Sequence, residues 1–443
     1  MSVNTLEILQ RALPLGLANM SVVLMPLLDS VMLGRHGIES LAAGGLAMQI
    51  YIGVFIIGEG LVLGFGTLYG QHREQQNPDE IRELAYALYL LLGLLGLIAM
   101  VIGTFGSSFF SALGQSKKLA DSLQPYLILL SLATLPSFLF IHFWELLSYE
   151  RKGKKIIEGA CLQLISNAAI NYILIFGNLG APELGLLGAG IGTLLGALVG
   201  AGWLYIAVRA KASCEKHDLN IANIMEQARK IVKIGLPIGL SILSTVAYLS
   251  LSVIFMGWFS HAALAAHIAV LQLNEVLIVF ILGFAEYSTI HTADNYTKET
   301  NASFKAFSTK VSIIALGLMS LVLILTYIGR NLIYDLFSFG ANNDARILMD
   351  DFFSFSIYFL ILDGLVLIIL GLLRGRAETL APLIISTSAI WSVGMLSQVG
   401  LMTVYPHNPI TVWIGMQIGF AAAAAGLFLY MTWYIRFHPT LNK

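Results

Sequence analysis

The segment ALPLGLANMSVVLMPLLDSVMLG, residues 12–34, is predominantly apolar and carries one acidic side chain, Asp29. An apolar run of about 20 residues has the length that an α-helix needs to cross the hydrocarbon core of a bilayer. A charged aspartate in hydrocarbon is costly, so such residues usually face a cavity or a partner and carry function. The segment therefore predicts a membrane-spanning helix in which Asp29 has a functional role.

The composition of the whole chain also indicates a membrane protein. Of its 443 residues, 57% are hydrophobic and 12% are charged, and the mean hydropathy is +0.80. A typical soluble domain has about 25% charged residues, so the composition excludes an ordinary soluble protein. The apolar runs are uninterrupted rather than alternating, which favours helices over a transmembrane β-barrel. The net charge of −1 gives no indication of a nucleic-acid partner.

Twelve apolar segments are long enough to be membrane spans, which predicts an all-α polytopic membrane protein. They cover approximately residues 8–33, 44–70, 84–106, 122–148, 156–177, 185–208, 230–258, 264–290, 308–328, 350–373, 380–402 and 411–435. No small-residue cleavage site follows the first segment, so we expect a retained helix rather than a signal peptide.

The distribution of lysine and arginine predicts the orientation of the chain. Of these 25 residues, 17 lie in or beside the even-numbered loops, three lie at the termini, and five lie in the odd-numbered loops. Loops rich in lysine and arginine stay on the cytoplasmic side of a membrane. We therefore expect both termini and the even-numbered loops to be cytoplasmic.

An internal repeat relates the two halves of the sequence. ALPLGL at 12–17 aligns with GLPIGL at 235–240, and the same shift aligns Gly60 with Gly283. We call this shift, which carries Ala12 onto Gly235, the repeat offset. Each half has an even number of spans, so both halves enter the membrane with the same polarity. The repeat is therefore parallel, related by an axis along the membrane normal.

The repeat predicts two pseudo-symmetric six-helix lobes that enclose a cavity near the bilayer midplane. The lobes are residues 1–208 and 230–443, and residues 209–229 form a cytoplasmic linker. This arrangement is typical of secondary transporters with alternating access. Asp29 has no acidic counterpart in the second half, where the repeat offset gives Ser252. The acid is thus an asymmetric addition to a symmetric scaffold.

Polar residues at a depth similar to that of Asp29 are candidates for the same site. Asn167 and Asn171 are four residues apart on the fifth span and share one helix face. Their amides could hydrogen-bond a carboxyl group or ligate a cation, and simple interhelical hydrogen bonding is the alternative. Pro26 lacks a backbone donor and weakens the helix near the acid. Tyr172 is a further candidate for a substrate or ion site.

Four more polar residues within predicted spans are candidates for a substrate or ion site: Gln49, Glu59, Glu275 and Asp363. Asp363 has apolar residues on both sides for two turns, which indicates a site in the second lobe. Polar packing between helices is the alternative for these side chains. No HExxH, GxSxG or P-loop pattern and no metal-binding spacing occurs, so we expect neither an enzyme nor a metal or cofactor site.

Several stretches together resemble the prokaryotic members of the multidrug and toxic compound extrusion (MATE) transporters. They are ALPLGLANMSVVLMPLLDSVMLGRHGIESLAAGGLA (12–47), NAAINYILIFGNLGAPELGLLGAGIGT (167–193), LLRGRAETLAP (372–382) and VWIG (412–415). The resemblance runs through both halves of the chain. It implies a twelve-helix, V-shaped fold of two six-helix lobes and the export of cationic or amphipathic compounds in exchange for H⁺ or Na⁺.

The resemblance also implies roles for particular residues of the first lobe. Similar prokaryotic members have an aspartate on the first helix with polar partners on the fifth and sixth helices. These correspond to Asp29, Asn167 and Asn171, with Thr193 as a further candidate. Pro26 matches the proline that is linked to bending of the first helix. Some members have an aspartate in place of Asn171, so the site of this chain has one acid fewer.

Other members use a second-lobe site with a glutamate on the seventh helix and an aspartate on the tenth. Asp363 fits that aspartate, but the seventh span, 230–258, contains no acid. The incomplete second site favours H⁺ coupling through Asp29. Three alternatives stay open: a Na⁺-coupled exporter, a flippase for a lipid-linked precursor from the wider superfamily, and a membrane receptor or scaffold without transport.

The combined prediction is a proton-coupled multidrug antiporter that is a multi-pass protein of a bacterial inner membrane. We expect a monomer surrounded by membrane lipids, with small cationic or amphipathic compounds as substrates. H⁺, or alternatively Na⁺, would be the coupling ion, and no bound cofactor or nucleic acid is expected.

Overall fold

The computed structural model describes residues 4–75, 77–112, 117–209, 220–298, 300–332 and 343–437. Within these ranges the chain contains no β-strand, and twelve helices are long and apolar enough to cross a membrane. The predicted all-α membrane fold with twelve spans is therefore confirmed. Residues 210–219, which belong to the predicted linker, lie outside the described part of the chain.

The twelve helices divide into two sets of six along the chain. The first six are α1 Thr5–His36, α2 Ile38–Glu74, α3 Pro78–Ala112, α4 Lys117–Tyr149, α5 Gly153–Phe176 and α6 Leu186–Arg209. The second six are α7 Ile221–Phe259, α8 His261–Asp294, α9 Asn301–Ile328, α10 Asn343–Gly375, α11 Leu380–Val404 and α12 Ile410–Phe437. A π-helical segment, Ala389–Gly394, lies inside α11.

Capping residues determine where several helices begin and end. The hydroxyl of Ser260 accepts a hydrogen bond from the Ala263 N–H at 3.0 Å and starts α8. The hydroxyl of Thr300 accepts from the Ser303 N–H at 3.2 Å and starts α9. Each such cap contributes about 1 kcal/mol. α5 ends at Gly177, which has a left-handed φ of 67° that glycine adopts without strain.

The packing of the helices divides the chain into two compact units. One unit is Leu17–Gly239, and the other combines Met1–Gly16 with Leu240–Lys443. The chain passes from one unit to the other inside α1, after Gly16, and inside α7, after Gly239. The repeat offset aligns these two glycines, so the units divide at equivalent positions of the repeat. The predicted lobe boundaries are defined by sequence similarity instead, and they stay a prediction.

Each unit contains the same close contact between two helix backbones. In one unit α2 meets α7, where a Cβ atom added to Gly60 would lie 2.6 Å from the Cα of Gly239. In the other unit α8 meets α1, where a Cβ atom added to Gly283 would lie 2.8 Å from the Cα of Gly16. The repeat offset aligns both glycines of one contact with those of the other. The repeat seen in the sequence is therefore present in the packing of the helices.

Candidate functional site

Asp29 lies on the buried face of α1. This helix runs without interruption through Pro26, and the Asp29 side chain is 2% exposed whereas Pro26 is exposed. Because proline has no backbone N–H, the carbonyl of Val22 lacks the donor that would normally follow it by four residues. α1 therefore has a weak point one turn before the acid. Bending of α1 at this point stays a prediction.

α5 supplies the hydrogen-bond partner of Asp29. The Asn171 Nδ2 donates to Asp29 Oδ1 at 2.6 Å and lies 3.4 Å from Asn167 Oδ1. Both asparagines are fully buried. Their spacing of four residues places both amides on the face of α5 that meets α1. The structure thus brings together three of the residues that the sequence singled out.

α4 and α6 complete the surroundings of the carboxyl group. Thr193 on α6 is 2% exposed, neighbours Asp29, and donates to the carbonyl oxygen of Ala189 at 3.0 Å. Tyr126 on α4 is also buried, and it interacts electrostatically with Asp29. The sequence does not reveal Tyr126 as a site residue, because no local pattern shows which residues of α4 face α1.

Several polar atoms of the site have unused hydrogen-bonding capacity. Asp29 Oδ2, Asn167 Nδ2 and Asn171 Oδ1 are buried and have no hydrogen-bond partner among the described residues. Nor does any described lysine, arginine or histidine form an ion pair with Asp29. Buried polar atoms are normally satisfied by protein or by water. One donor and two acceptors in a shared site can take a proton, a water molecule or a small cation.

An apolar cluster covers the site on the side of the α1–α2 turn. Leu33 follows Asp29 by one turn on α1, and Ile175 follows Asn171 by one turn on α5. Leu130 of α4 belongs to the same cluster, and all three apolar side chains are no more than 3% exposed. These side chains bury the site on that side of Asp29.

An amide–thioether contact lies on the opposite side of the site. Gln163 Nε2 on α5 is 3.8 Å from the sulfur of Met25 on α1. These residues precede Asn167 and Asp29 by one helical turn each. Gln163 therefore extends the row of amides on α5. The regular spacing of four residues was the sequence signal that could have identified it.

Comparison with protein families agrees with this architecture. The MatE family model matches residues 14–173 and 237–399, which make up most of the chain. The chain belongs to the MatE family. The two matched segments begin at positions that the repeat offset aligns, so the match also supports the internal repeat. Membership in MatE makes the chain a membrane transporter rather than an enzyme.

Relatives of this MatE chain match over nearly its whole length. A "Probable multidrug resistance protein NorM" from Mesorhizobium japonicum is 28% identical, over 96% of this chain and 92% of the relative. A protein with the same description from Halalkalibacterium halodurans is 24% identical, over 94% of this chain and 91% of the relative.

Solved structures of MATE transporters share the fold. The Vibrio cholerae MATE transporter VcmN has a TM-score of 0.85 at 17% identity, covering 97% of this chain and 96% of that one. An outward-facing multidrug resistance MATE family transporter has a TM-score of 0.84 at 21% identity, covering 97% of this chain and 95% of that one. At these identities the likeness shows the fold alone.

Other first-half candidates in this MatE chain are not partners of Asp29. Tyr172 follows Asn171 directly but is 55% exposed, because adjacent residues on a helix point in different directions. Gln49 on α2 is exposed, and Glu59 on the same helix is half-buried. Neither contributes to the surroundings of the Asp29 carboxyl group.

The candidates of the second half do not form a comparable site. Asp363 on α10 is half-buried, and Glu275 on α8 is exposed. Neither makes a hydrogen bond or an ion pair with another described residue. The adjacent Gly364 packs near Ile281 of α8, where an added Cβ atom would lie 3.4 Å from that side chain. A role for either acid stays a prediction.

Ser252, which the repeat aligns with Asp29, is part of a neutral polar pair. It is fully buried on α7, and its Oγ lies 2.9 Å from Nε2 of His267 on α8. The Ser252 hydroxyl donates to the carbonyl oxygen of Leu249 at 2.7 Å, so it accepts from the His267 ring. His267 also packs against the ring of Trp413, with 5.1 Å between the ring centroids. The two halves thus differ chemically at equivalent positions.

Proposed function

We propose that this MatE transporter is a multidrug efflux antiporter that exports cationic or amphipathic compounds in exchange for H⁺, with Asp29 as the coupling group. The observation that carries the proposal is the buried hydrogen bond from Asn171 to Asp29, in a site where no described basic residue pairs with the acid. The descriptions of the relatives as probable multidrug resistance proteins support the substrate class.

The surroundings of Asp29 suit reversible proton binding. Its hydrogen-bond partner is a neutral amide, so the charge of the site changes by one when the carboxyl group binds or releases a proton. Protonation can drive transport only if two states of the protein differ in their affinity for the proton. The apolar cluster around Leu33 supports such a difference, because opening it would give Asp29 access to water.

The proposed cycle begins with drug bound in an outward-open state and with Asp29 deprotonated. A proton from outside then neutralises the carboxyl group and changes its hydrogen bond with Asn171. The change is transmitted to α1, which lacks one backbone hydrogen bond at Pro26, and the drug leaves outward. Release of the proton to the cytoplasm resets the transporter.

Na⁺ coupling is the second candidate, and unpartnered oxygen atoms favour it. Asp29 Oδ2 and Asn171 Oδ1 are buried acceptors in the same site. Carboxylate and carbonyl oxygens are the ligands that hard cations prefer. The observed orientation of Asn171 favours H⁺ instead, because it presents its amide nitrogen to the carboxyl group.

We further propose a bacterial inner membrane as the location, with both termini in the cytoplasm. The concentration of lysine and arginine in the even-numbered loops supports this orientation. The relatives come from bacteria, which supports the choice of membrane. We propose a monomer, with membrane lipids around its twelve helices, as the transporting unit.

Reconstitution in lipid vesicles tests the coupling ion and the role of Asp29. Export of ethidium, a cationic probe, is measured under an imposed pH gradient or Na⁺ gradient for wild type, Asp29→Asn and Ser252→Ala. We expect the pH gradient to drive export by wild type and by Ser252→Ala, and Asp29→Asn to fall to the protein-free background. Export by Asp29→Asn at the wild-type rate would contradict coupling through Asp29. A wild-type response to the Na⁺ gradient alone would support the second candidate.

A further inference from the structure

A row of glycines on α6 faces α5 across their antiparallel contact. The glycines recur at every fourth position: Gly188, Gly192, Gly196 and Gly200. All of them are buried, and a Cβ atom added to any of them would come within about 3 Å of α5. Gly202 of the same helix is exposed, and an added Cβ atom there would have no neighbour within 4 Å.

Of the four glycines, Gly192 has the closest contact with α5, and that contact is with the side chain that binds Asp29. An added Cβ atom would lie 2.7 Å from the Leu174 backbone at Gly188, and 3.0 Å from the Asn167 Cβ at Gly196. At Gly192 it would overlap the amide oxygen of Asn171 and lie 2.9 Å from the Cγ of that side chain. The missing side chain of Gly192 thus leaves room for the amide group that binds Asp29.

The amide of Asn171 is held between α1 and α6. Its Nδ2 donates to Asp29 Oδ1 at 2.6 Å, and its Oδ1 points toward Gly192. That oxygen belongs to a fully buried residue and has no hydrogen-bond partner among the described residues. An amide group is planar and rigid, so the position of its oxygen fixes the position of its nitrogen. Space at Gly192 is therefore a condition for the hydrogen bond to Asp29.

We propose that Gly192 is a positioning residue for ion coupling, which holds the Asn171 amide against Asp29 by leaving a slot for its oxygen. The inference rests on the proposed function of Asp29. A methyl group in the slot would displace the amide and remove the hydrogen bond, with the same consequence for coupling as removal of the amide itself.

The second half of the chain has a glycine equivalent to Gly192, although the residue equivalent to Asp29 is a serine there. Gly415 on α12 aligns with Gly192 at the repeat offset. An added Cβ atom at Gly415 would overlap the Cγ of Gln398 on α11 and lie 2.7 Å from the backbone N and Cα of that residue. Glycine at this position permits close packing of α12 against Gln398 in the second half. In the first half the group that would be overlapped is the Asn171 amide, which donates to Asp29, so Gly192 acts on the site directly.

Four variants in the full-length transporter test this role: Gly192→Ala, Asn171→Ala, the double variant, and Gly202→Ala as a control on the same helix. The measurements are thermal unfolding in detergent and export of ethidium from vesicles at a series of pH values. We expect Gly192→Ala to lower export about 10- to 100-fold, as for the loss of one hydrogen bond to a charged group. The pH of half-maximal export should move to the value found for Asn171→Ala. Gly202→Ala should behave as wild type.

The double variant separates positioning from packing. If the methyl group acts through the Asn171 amide, adding Gly192→Ala to Asn171→Ala should cause no further loss of export and no further shift with pH. Asn171→Ala should also restore folding if Gly192→Ala alone fails to fold. Additive defects, or a double variant that does not fold, would overturn the proposal. Asp29→Asn is measured in parallel. If the proposed function is wrong, Asp29→Asn exports ethidium. If only the role of Gly192 is wrong, Asp29→Asn is inactive.

Discussion

Asn171→Ala should impair coupling more than Tyr172→Ala, a change at the next residue of α5. The substitution removes the amide that donates to Asp29 Oδ1 at 2.6 Å, and with it the contact at 3.4 Å to Asn167 Oδ1. Asp29 Oδ2 already has no hydrogen-bond partner among the described residues. The carboxyl group would then lose the amide hydrogen bond that holds its Oδ1.

The size of the effect follows from the strength of such a hydrogen bond. A hydrogen bond to a charged group contributes about 1.5–3 kcal/mol, and a tenfold change in an equilibrium corresponds to about 1.4 kcal/mol. We therefore expect export driven by a pH gradient to fall about 10- to 100-fold. Tyr172→Ala, next to it on the helix, removes a side chain that is 55% exposed. That control should change stability by no more than about 0.5 kcal/mol.

The assay is ethidium export from vesicles that contain equal amounts of each variant, with the pH gradient as the independent variable. Thermal unfolding in detergent, measured on the same samples, separates loss of coupling from loss of folded protein. Ethidium export by Asn171→Ala should stay low at every pH gradient, whereas export by Tyr172→Ala should match that of wild type. Equal export by Asn171→Ala and wild type would refute the reasoning, because it would show that the hydrogen bond to Asp29 is not used.

Two further substitutions test Pro26 and Asp363. Pro26→Ala supplies the N–H that the Val22 carbonyl lacks, and proline in a helix interior costs about 3 kcal/mol relative to alanine. We expect a higher unfolding temperature and slower export with unchanged ethidium affinity; faster export would show that α1 does not need its weak point. Asp363→Asn should keep the response to a pH gradient and change only ethidium affinity, because Asp363 has no bonded partner among the described residues. Loss of the pH response would instead place coupling in the second half.

Local sequence patterns predicted the membrane fold and part of the site. Twelve apolar runs became twelve helices because the length of a span and its hydrophobicity are properties of a continuous segment. The pairing of Asn167 with Asn171 followed from their spacing of four residues on one helix. Their contact with Asp29 could only be inferred from similar depth in the membrane, since no local rule determines which spans are neighbours.

The residues that the sequence did not reveal depend on contacts between distant segments. Tyr126 lies close to Asp29 because α4 packs near α1, and this packing leaves no periodic signal around the tyrosine. In the sequence, Gly192 is one of several glycines in the same helix. Its proposed role follows from its contact with the Asn171 amide, which only the structure shows. The exposure of Tyr172 was predictable in principle, because it follows Asn171 directly and must point away from the face that Asn171 shares with α1.

The repeated glycine contacts serve helix packing, whereas the acid present in one half serves the proposed coupling. The glycine contacts of α2 with α7 and of α8 with α1 recur in both units, because a side chain at either contact would separate two helix backbones. An acid is not required for packing, since Ser252 with His267 fills the position equivalent to Asp29 by a neutral hydrogen bond. In the proposed mechanism, only one half needs to carry the coupling acid. Because the site around Asp29 holds a single carboxyl group, the proposed mechanism moves one proton through it in each cycle.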